Sequence, residues 1–367
     1  MGIQEFVRTL AMPMSVPSIV EPPGKLAILF AGMGSLATTT IACTLLARRD
    51  AGLELSPPLR LTGAAGIAEV IRTYQLAGLD DIVFGAWDVL REDAFAIADF
   101  LEVLPPDLLA PLREEMQAIV PMRGVFDPAN VPGLYHDFVK PKAPKSVWAA
   151  AIEEDIGQFK RQHGCARAVV IWTGTRETYS IPTPAHRNIE SFEFFLQADD
   201  PAISCSQIYA WASIRAGVPF LSGGASNCID YAAIRSLARE KAIPLAGENF
   251  LVPPAETIPA GAVPPVPAAD PKVYTANGPA GTSFTGTIDQ SEENPTGPRP
   301  RRESRATAPL VLEAALLLDL AHRHQRTVMQ HWLNVYFSRP VASRGPEVDT
   351  TLFLETLGSL AAPAPLA

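Results

Sequence analysis

The sequence predicts an α/β fold, a doubly wound and mostly parallel sheet, and three observations predict it. Between residues 25 and 250, apolar runs short enough to be single buried strands alternate with stretches of helical periodicity. Three of those runs empty into small, polar turns: Gly32-Met33-Gly34-Ser35, Thr173-Gly174-Thr175 and Gly223-Gly224-Ala225-Ser226-Asn227. The first turn passes directly into an apolar helix pattern, the strand, turn and helix order of a βα unit. Ligands of such sheets sit outside the carboxyl ends of the strands, so the three turns are expected along one edge.

Composition narrows the field. A chain of 367 residues with 47% hydrophobic content can bury a sizeable core. A net charge of −9 argues against a nucleic-acid or anionic-membrane partner, and the cluster Arg299-Pro300-Arg301-Arg302 is too short to overturn that. Four scattered cysteines (Cys43, Cys165, Cys205, Cys228) lack C-x-x-C or Cys/His spacing and read as reduced core thiols, with no metal site and a cytoplasmic location expected. No apolar run reaches the ~18 residues of a membrane span. Only seven of the thirty cationic residues are Lys.

Taken in order, residues 1–24 are Pro-dotted and aperiodic and read as an N-terminal arm. Residues 25–250 form the nucleotide-binding unit. Leu26-Ala27-Ile28-Leu29-Phe30 is a buried strand, and Ser35–Arg49 a helix whose last turn carries cations at the negative end of its dipole. Ile82–Asp88 is a strand closing on an aspartate, which either faces the glycine turn or serves as a turn residue. A helical pattern over 91–120 is broken at Pro105-Pro106, and 127–147 reads as a loop. A helix over Trp148–His163 leads to the strand Arg167–Trp172. Asp199-Asp200-Pro201-Ala202 is expected to cap a helix through Ile208 and Ala212; Gly217–Leu221 and Ile243–Gly247 are strands flanking a helix over 230–240. Residues 251–307, rich in Pro and Gly, have no sustained period and read as a linker or degenerate insert. In 308–367, helices are expected from Ala308 with Pro309 in the first turn, over Val328–Phe337, and over Val348–Leu360, packing back on the sheet.

The glycine turn brings the backbone close to a pyrophosphate, while the helix behind it offers unpaired N–H groups and a positive dipole end. The third fingerprint position holds Ala37, which that position tolerates. Together with the companion turns and Asp88, this edge suits a dinucleotide. A plain βα turn without a ligand is the alternative. The six histidines lack metal spacing, and no G-x-S-x-G elbow or P-loop lysine pattern occurs.

Several stretches in order, namely Lys25–Thr39, Asp80–Val89, Pro121–Asp127, Val170–Thr175 with Glu177, Asp200–Ser204, Gly217–Phe220, Ala308–Leu312, Trp332-Leu333 and Tyr336–Pro340, resemble the inositol-3-phosphate synthase (myo-inositol-1-phosphate synthase) family in its bacterial form. The resemblance implies a Rossmann-like domain that holds NAD and an isomerase that converts glucose 6-phosphate, a small phosphorylated sugar, to inositol 3-phosphate by oxidation, enolisation, ring closure and re-reduction. By position, Gly32, Met33, Gly34, Ser35, Asp88, Thr173, Gly174, Thr175, Asn227 and Gly247 fall on the elements that line the family's NAD cleft.

The departures are equally specific. Where the family continues after Ala-Gly into a lysine motif, this chain has Ala246-Gly247-Glu248-Asn249-Phe250-Leu251, with Leu251 on the lysine position. The family's inserted domain, which carries catalytic lysines and builds the homo-oligomer, is replaced by 251–307, so oligomeric state stays open. A later family lysine falls on Ser338, beside Arg339, a residue that could hold a phosphate but not shuttle a proton. No catalytic residue is assigned. Three readings remain: a synthase by descent, an NAD-holding relative without turnover, or a chain disrupted between 250 and 307; another NAD-dependent oxidoreductase is the runner-up enzyme class.

Overall fold

A computed structural model describes residues 24–49, 74–130, 136–174, 177, 181–224, 226–251, 273–277, 283–287, 299–338 and 350–361. In chain order its elements are β1 (Lys25–Ala31), α1 (Ser35–Arg49), β2 (Ile82–Asp88), α2 (Ala94–Phe100), α3 (Pro106–Leu109), α4 (Arg113–Gln117), β3 (Met122–Arg123), α5 (Lys145–His163), β4 (Cys165–Trp172), α6 (Ile189–Gln197), α7 (Cys205–Arg215), β5 (Phe220–Ser222), α8 (Ala232–Glu240), β6 (Pro244–Gly247), β7 (Val273–Asn277), β8 (Ser283–Thr287), α9 (Arg299–Arg323), β9 (Val328–Met329) and α10 (Thr350–Ala361). Seven strands form one sheet in the order β3-β2-β1-β4-β5-β6-β9. Every pairing within it is parallel. The doubly wound α/β expectation is borne out.

A strand buried on both faces must be apolar at every position, and β1 is. Leu26, Ile28 and Phe30 pack into one core with α1 and α9, while Ala27, Leu29 and Ala31 pack into a second core with α5 and α7. The alternation along the strand, with period two, places the sheet between two helical layers. α5 ends at Gly164 in the left-handed conformation, φ 65°, after a last turn bearing Lys160, Arg161 and His163.

The C-terminal chain returns to the sheet. From Arg305 to Ala321 every residue of α9 is buried, and its leucines join the core formed by the even-numbered face of β1. A helix buried on every side is a core helix. It is fixed electrostatically at its far end, where the Asp319 carboxylate, 1% exposed, pairs with Arg167 of β4 and with Arg323. Burial still holds the Asp319 pKa above the ordinary carboxylate value.

Four expectations are corrected, and the Pro-rich segment adds one short hairpin. α9 begins at Arg299, not Ala308, so Pro309 lies inside the helix. The segment 328–337 is a two-residue seventh strand followed by a 3-10 helix over His331–Tyr336, because Val328 bonds to Ile243 and Gln330 to Leu245 at the sheet edge. α6 was not expected: Pro182 and Pro184 mask its start, where Asn188 caps it by accepting from Ser191 N–H at 2.8 Å. α7 is capped from a distance by Glu177 and starts at Cys205, so Asp199 and Asp200 lie before it; Asp200 instead accepts from Ala202 N–H at 2.8 Å. Within the Pro-rich segment, β7 and β8 form an antiparallel hairpin. The expected N-terminal arm lies outside the described residues up to residue 23. Among the described residues, no helix is long and apolar enough to cross a membrane.

Candidate functional site

Strand order reverses direction between β1 and β4, and the chain leaves both strands at the same edge of the sheet. This switch point is where an open α/β sheet leaves a crevice. The two exits are in contact. Gly32 has φ +107°, and a Cβ there would lie 2.6 Å from the Gly174 Cα, so only glycine fits between the loops. Thr173 secures the contact by donating its hydroxyl to Gly32 O at 2.7 Å and its N–H to Ala31 O at 3.0 Å. Gly34 is the opposite case. No described residue lies within 4 Å of where its Cβ would be, so among the described residues the turn is open on that side.

Asp88 ends β2 beside this turn. Its Oδ2 accepts from Met33 N–H at 2.5 Å and its Oδ1 from Leu90 N–H at 3.0 Å. Burial pushes its pKa up, while these N–H groups pull it down and Glu92 pushes it up further. Gly32 N–H donates to Trp87 O at 2.9 Å. The turn is therefore held rigidly from below by β2, and α1 starts at Ser35 with no acidic residue in its first turn. An anion at that helix end meets unpaired N–H groups and the positive end of the dipole.

Farther along the edge, the loop after β4 is anchored by Glu177, 7% exposed, which accepts from Ser206 N–H at 2.9 Å and from the Ser204 and Ser206 hydroxyls. Burial raises its pKa. The Trp172 indole N–H has no hydrogen-bond partner among the described residues. After β5, the Asn227 amide donates to Tyr231 Oη at 2.7 Å, and the Tyr231 ring stacks on His186 at 3.9 Å. The His186 Nδ1 accepts from Thr183 N–H at 3.0 Å, and burial lowers its pKa. Gly247, φ +117°, leaves no room for a side chain against Ser222. Beyond it the chain is latched: Ser338 N–H donates to Asn249 O at 2.8 Å, and Phe250 packs on Phe337 with ring centroids 5.0 Å apart.

The structure thus brings Gly32, Met33, Gly34, Ser35, Asp88, Thr173 and Gly174 into one hydrogen-bonded corner. Asn227 and Gly247 sit on the same edge, after β5 and at the end of β6, with their own local partners. Thr175 and Arg339 lie outside the described residues. Sequence reasoning missed Ser304 of α9, whose hydroxyl meets that of Ser35 at 2.8 Å across 269 positions. It also missed the role of Glu177, although the Ser204-x-Ser206 pair at a helix start was a signal. Two lysines near this half of the molecule are engaged: Lys145 Nζ, 2% exposed, donates to Asp200 O and Ile203 O at 2.8 and 2.7 Å, and Lys140 pairs with Asp155 at 2.6 Å. Burial pushes the Cys43 and Cys228 thiols up to about 12, which makes them packing groups and not nucleophiles. Among the described residues, no group of three or more His, Cys, Asp or Glu could hold a metal ion.

Comparison with known proteins gives consistent relatives. A family model for an NAD-binding domain, described as Myo-inositol-1-phosphate synthase, matches residues 63–356. The glycine turn lies ahead of that span. Inositol-3-phosphate synthase 1 of Bacteroides thetaiotaomicron is 30% identical over 233 residues, covering 62% of this chain and 54% of that protein. Inositol-3-phosphate synthase 1 of Oryza sativa is 27% identical over 251 residues, covering 62% and 48%. The chain spans about half the length of these curated relatives. In fold, the inositol-3-phosphate synthase structure from Caenorhabditis elegans superposes with a TM-score of 0.71 at 17% identity, covering 95% of this chain and 88% of that one.

Proposed function

Because the chain belongs to the myo-inositol-1-phosphate synthase family, we propose that it holds NAD at the β1–β4 corner and takes a small phosphorylated sugar of the glucose 6-phosphate class beside it. One observation carries this reading: the glycine turn is closed against Gly174 at Gly32 yet, among the described residues, open at Gly34, directly before a helix whose own first turn carries no acidic residue. Gly32, Met33, Gly34 and Ser35 would hold the pyrophosphate. Asp88, Thr173, Gly174 and Thr175 would flank it, with Asn227 and Gly247 bounding the nicotinamide half of the edge. The residues fit the group, because the corner is built from three paired strands and no described residue lies within 4 Å of a side chain placed at Gly34.

Bound NAD supplies a reversible hydride acceptor for a sugar carbinol, oxidising it and later returning the hydride. The chain's own contribution is positioning. Thr173 and Asp88 fix the turn, Glu177 fixes the loop after β4, and the two aromatic rings at Phe250 and Phe337 exclude water behind β6. Proton transfer is less well provided. Lys140 and Lys145 are engaged in ion pairs and backbone hydrogen bonds, and the sequence resemblance puts Ser338 where the family has a lysine. That favours a second reading, NAD binding without turnover.

One assay separates the two. Purified protein with NAD and glucose 6-phosphate should be thermally stabilised by NAD; release of inositol phosphate would establish the synthase reading. Stabilisation without product would establish the binding relative, net NADH accumulation a dehydrogenase, and no stabilisation by NAD would overturn all three.

A further inference from the structure

The adenosine side of the corner carries cations that the NAD reading leaves unused. In a dinucleotide fold, an acid at the end of the second strand accepts from the 2′-hydroxyl of the adenosine ribose, and its charge repels a phosphate placed there. Asp88 stands at that position, but its carboxylate is turned back into the protein. Its Oδ2 accepts from Met33 N–H at 2.5 Å and its Oδ1 from Leu90 N–H at 3.0 Å. Directly opposite Asp88 in the β2–β3 pairing is Arg123, the last residue of β3. The two residues are about 4.8 Å apart across neighbouring strands, yet their side chains form no ion pair. Arg123 instead lies over the Phe138 ring, its guanidinium carbon 4.6 Å from the centroid, and its Nη1 donates to Val139 O at 3.3 Å. Arg91, three residues beyond Asp88, approaches the same ring at 6.0 Å and pairs with Asp137 at 2.9 Å. The ring itself is fixed to the exit of β2, because Asp137 N–H and Phe138 N–H both donate to Val89 O, at 3.1 and 2.9 Å.

We propose that Arg123, with Arg91 beside it, forms a subsite for a phosphate on the 2′ position of the adenosine ribose, so that the corner takes NADP as well as NAD. The inference rests on the reading that this corner holds a nicotinamide dinucleotide, and it names the substituent that the adenosine end accepts. Two features of Arg123 suit it to that role. A guanidinium donates two parallel hydrogen bonds to phosphate oxygens and stays charged at any working pH. Lying flat on a fixed aromatic ring, it is already ordered before the ligand arrives, which lowers the entropy lost on binding. Among the described residues Arg123 pairs with no carboxylate, so a phosphate has no internal anion to displace from it. Arg123 is exposed and Phe138 half-buried, which leaves the fork open to a ligand at the edge of the sheet. Arg91 adds a second cation on the same ring, its charge partly offset by Asp137. The Asp88 carboxylate, held by Met33 and Leu90, keeps its role as the brace of the glycine turn. The ribose end is thus read by arginines at the exits of β2 and β3.

The test is calorimetric titration of NAD and of NADP, separately, into the full chain and into its Arg123→Ala variant, at low and high salt. The wild type is expected to bind NADP at least as tightly as NAD, with the steeper salt dependence for NADP. In Arg123→Ala the ratio of NADP to NAD affinity should fall on the order of tenfold, and the excess salt dependence of NADP should shrink. A ratio separates the subsite from a general loss of fold, because both ligands share the same corner. A wild type that binds NAD but binds NADP more weakly overturns the subsite and leaves the NAD reading standing. An unchanged ratio in the variant does the same. Binding of neither dinucleotide by the wild type overturns both.

Discussion

Two glycines end parallel strands on the same edge of the sheet in nearly the same conformation, Gly32 at φ +107° and Gly247 at φ +117°, and they do opposite things. At each, a side chain would strike the neighbouring strand's exit, Gly174 in one case and Ser222 in the other. Two residues past Gly32 the chain opens at Gly34 and enters a helix N-terminus. Two residues past Gly247 it is bolted shut by Asn249 on Ser338 and Phe250 on Phe337. A glycine with positive φ therefore reports close approach of two backbones, and only the next residues along the chain distinguish a ligand cradle from a latch.

The largest expected effect breaks the latch side. Gly247→Ala forces a Cβ into Ser222 in a disfavoured conformation and should destabilise the fold by about 3 kcal/mol, read by denaturant unfolding. Phe337→Ala removes the ring behind Phe250 and should cost about 3 kcal/mol, with NAD affinity within about twofold of wild type. Gly34→Ala sharpens the contrast, since no described residue lies within 4 Å of the new methyl. Stability should stay within about 0.5 kcal/mol of wild type, while NAD affinity falls on the order of tenfold because the methyl occupies the ligand's approach.

The smallest effect concerns His186, which supports Asn227 through Tyr231. Burial lowers its pKa, so below pH 6.5 the unfolded chain takes up a proton that the folded chain refuses. Stability should therefore be fully present above pH 6.5 and decline as pH falls below it, by up to about 1.4 kcal/mol per pH unit from this group. His186→Gln should flatten that slope. It will not abolish it, because burial also lowers the pKa values of His322 and His324.

The strands at the heart of the sheet were legible because burial on both faces demands unbroken apolar runs, as in Leu26–Phe30 and Val169–Trp172. The glycine turn was legible for the same local reason. Features set by distant partners escaped. β9 is two residues long and exists only because Ile243 and Leu245 offer bonds to it. The first turns of α9, with Pro300 and a run of charges, carry no apolar period, yet Ser304 meets Ser35 there. Of the expected site residues, those joined by one chain turn or one strand pairing were placed together by local pattern. The end of its strand announced Asp88 at the glycine turn, but its bond to Met33 N–H and that of Thr173 to Gly32 are tertiary and had no local signal.

The most direct measurement is the thermal shift produced by saturating NAD on wild type and on Gly34→Val, a branched side chain placed in the open side of the turn. Matching midpoints without ligand and a clear NAD-induced rise for wild type alone are the expected result. Equal rises in both proteins, or none in wild type, would contradict the assignment of this turn as the NAD cradle.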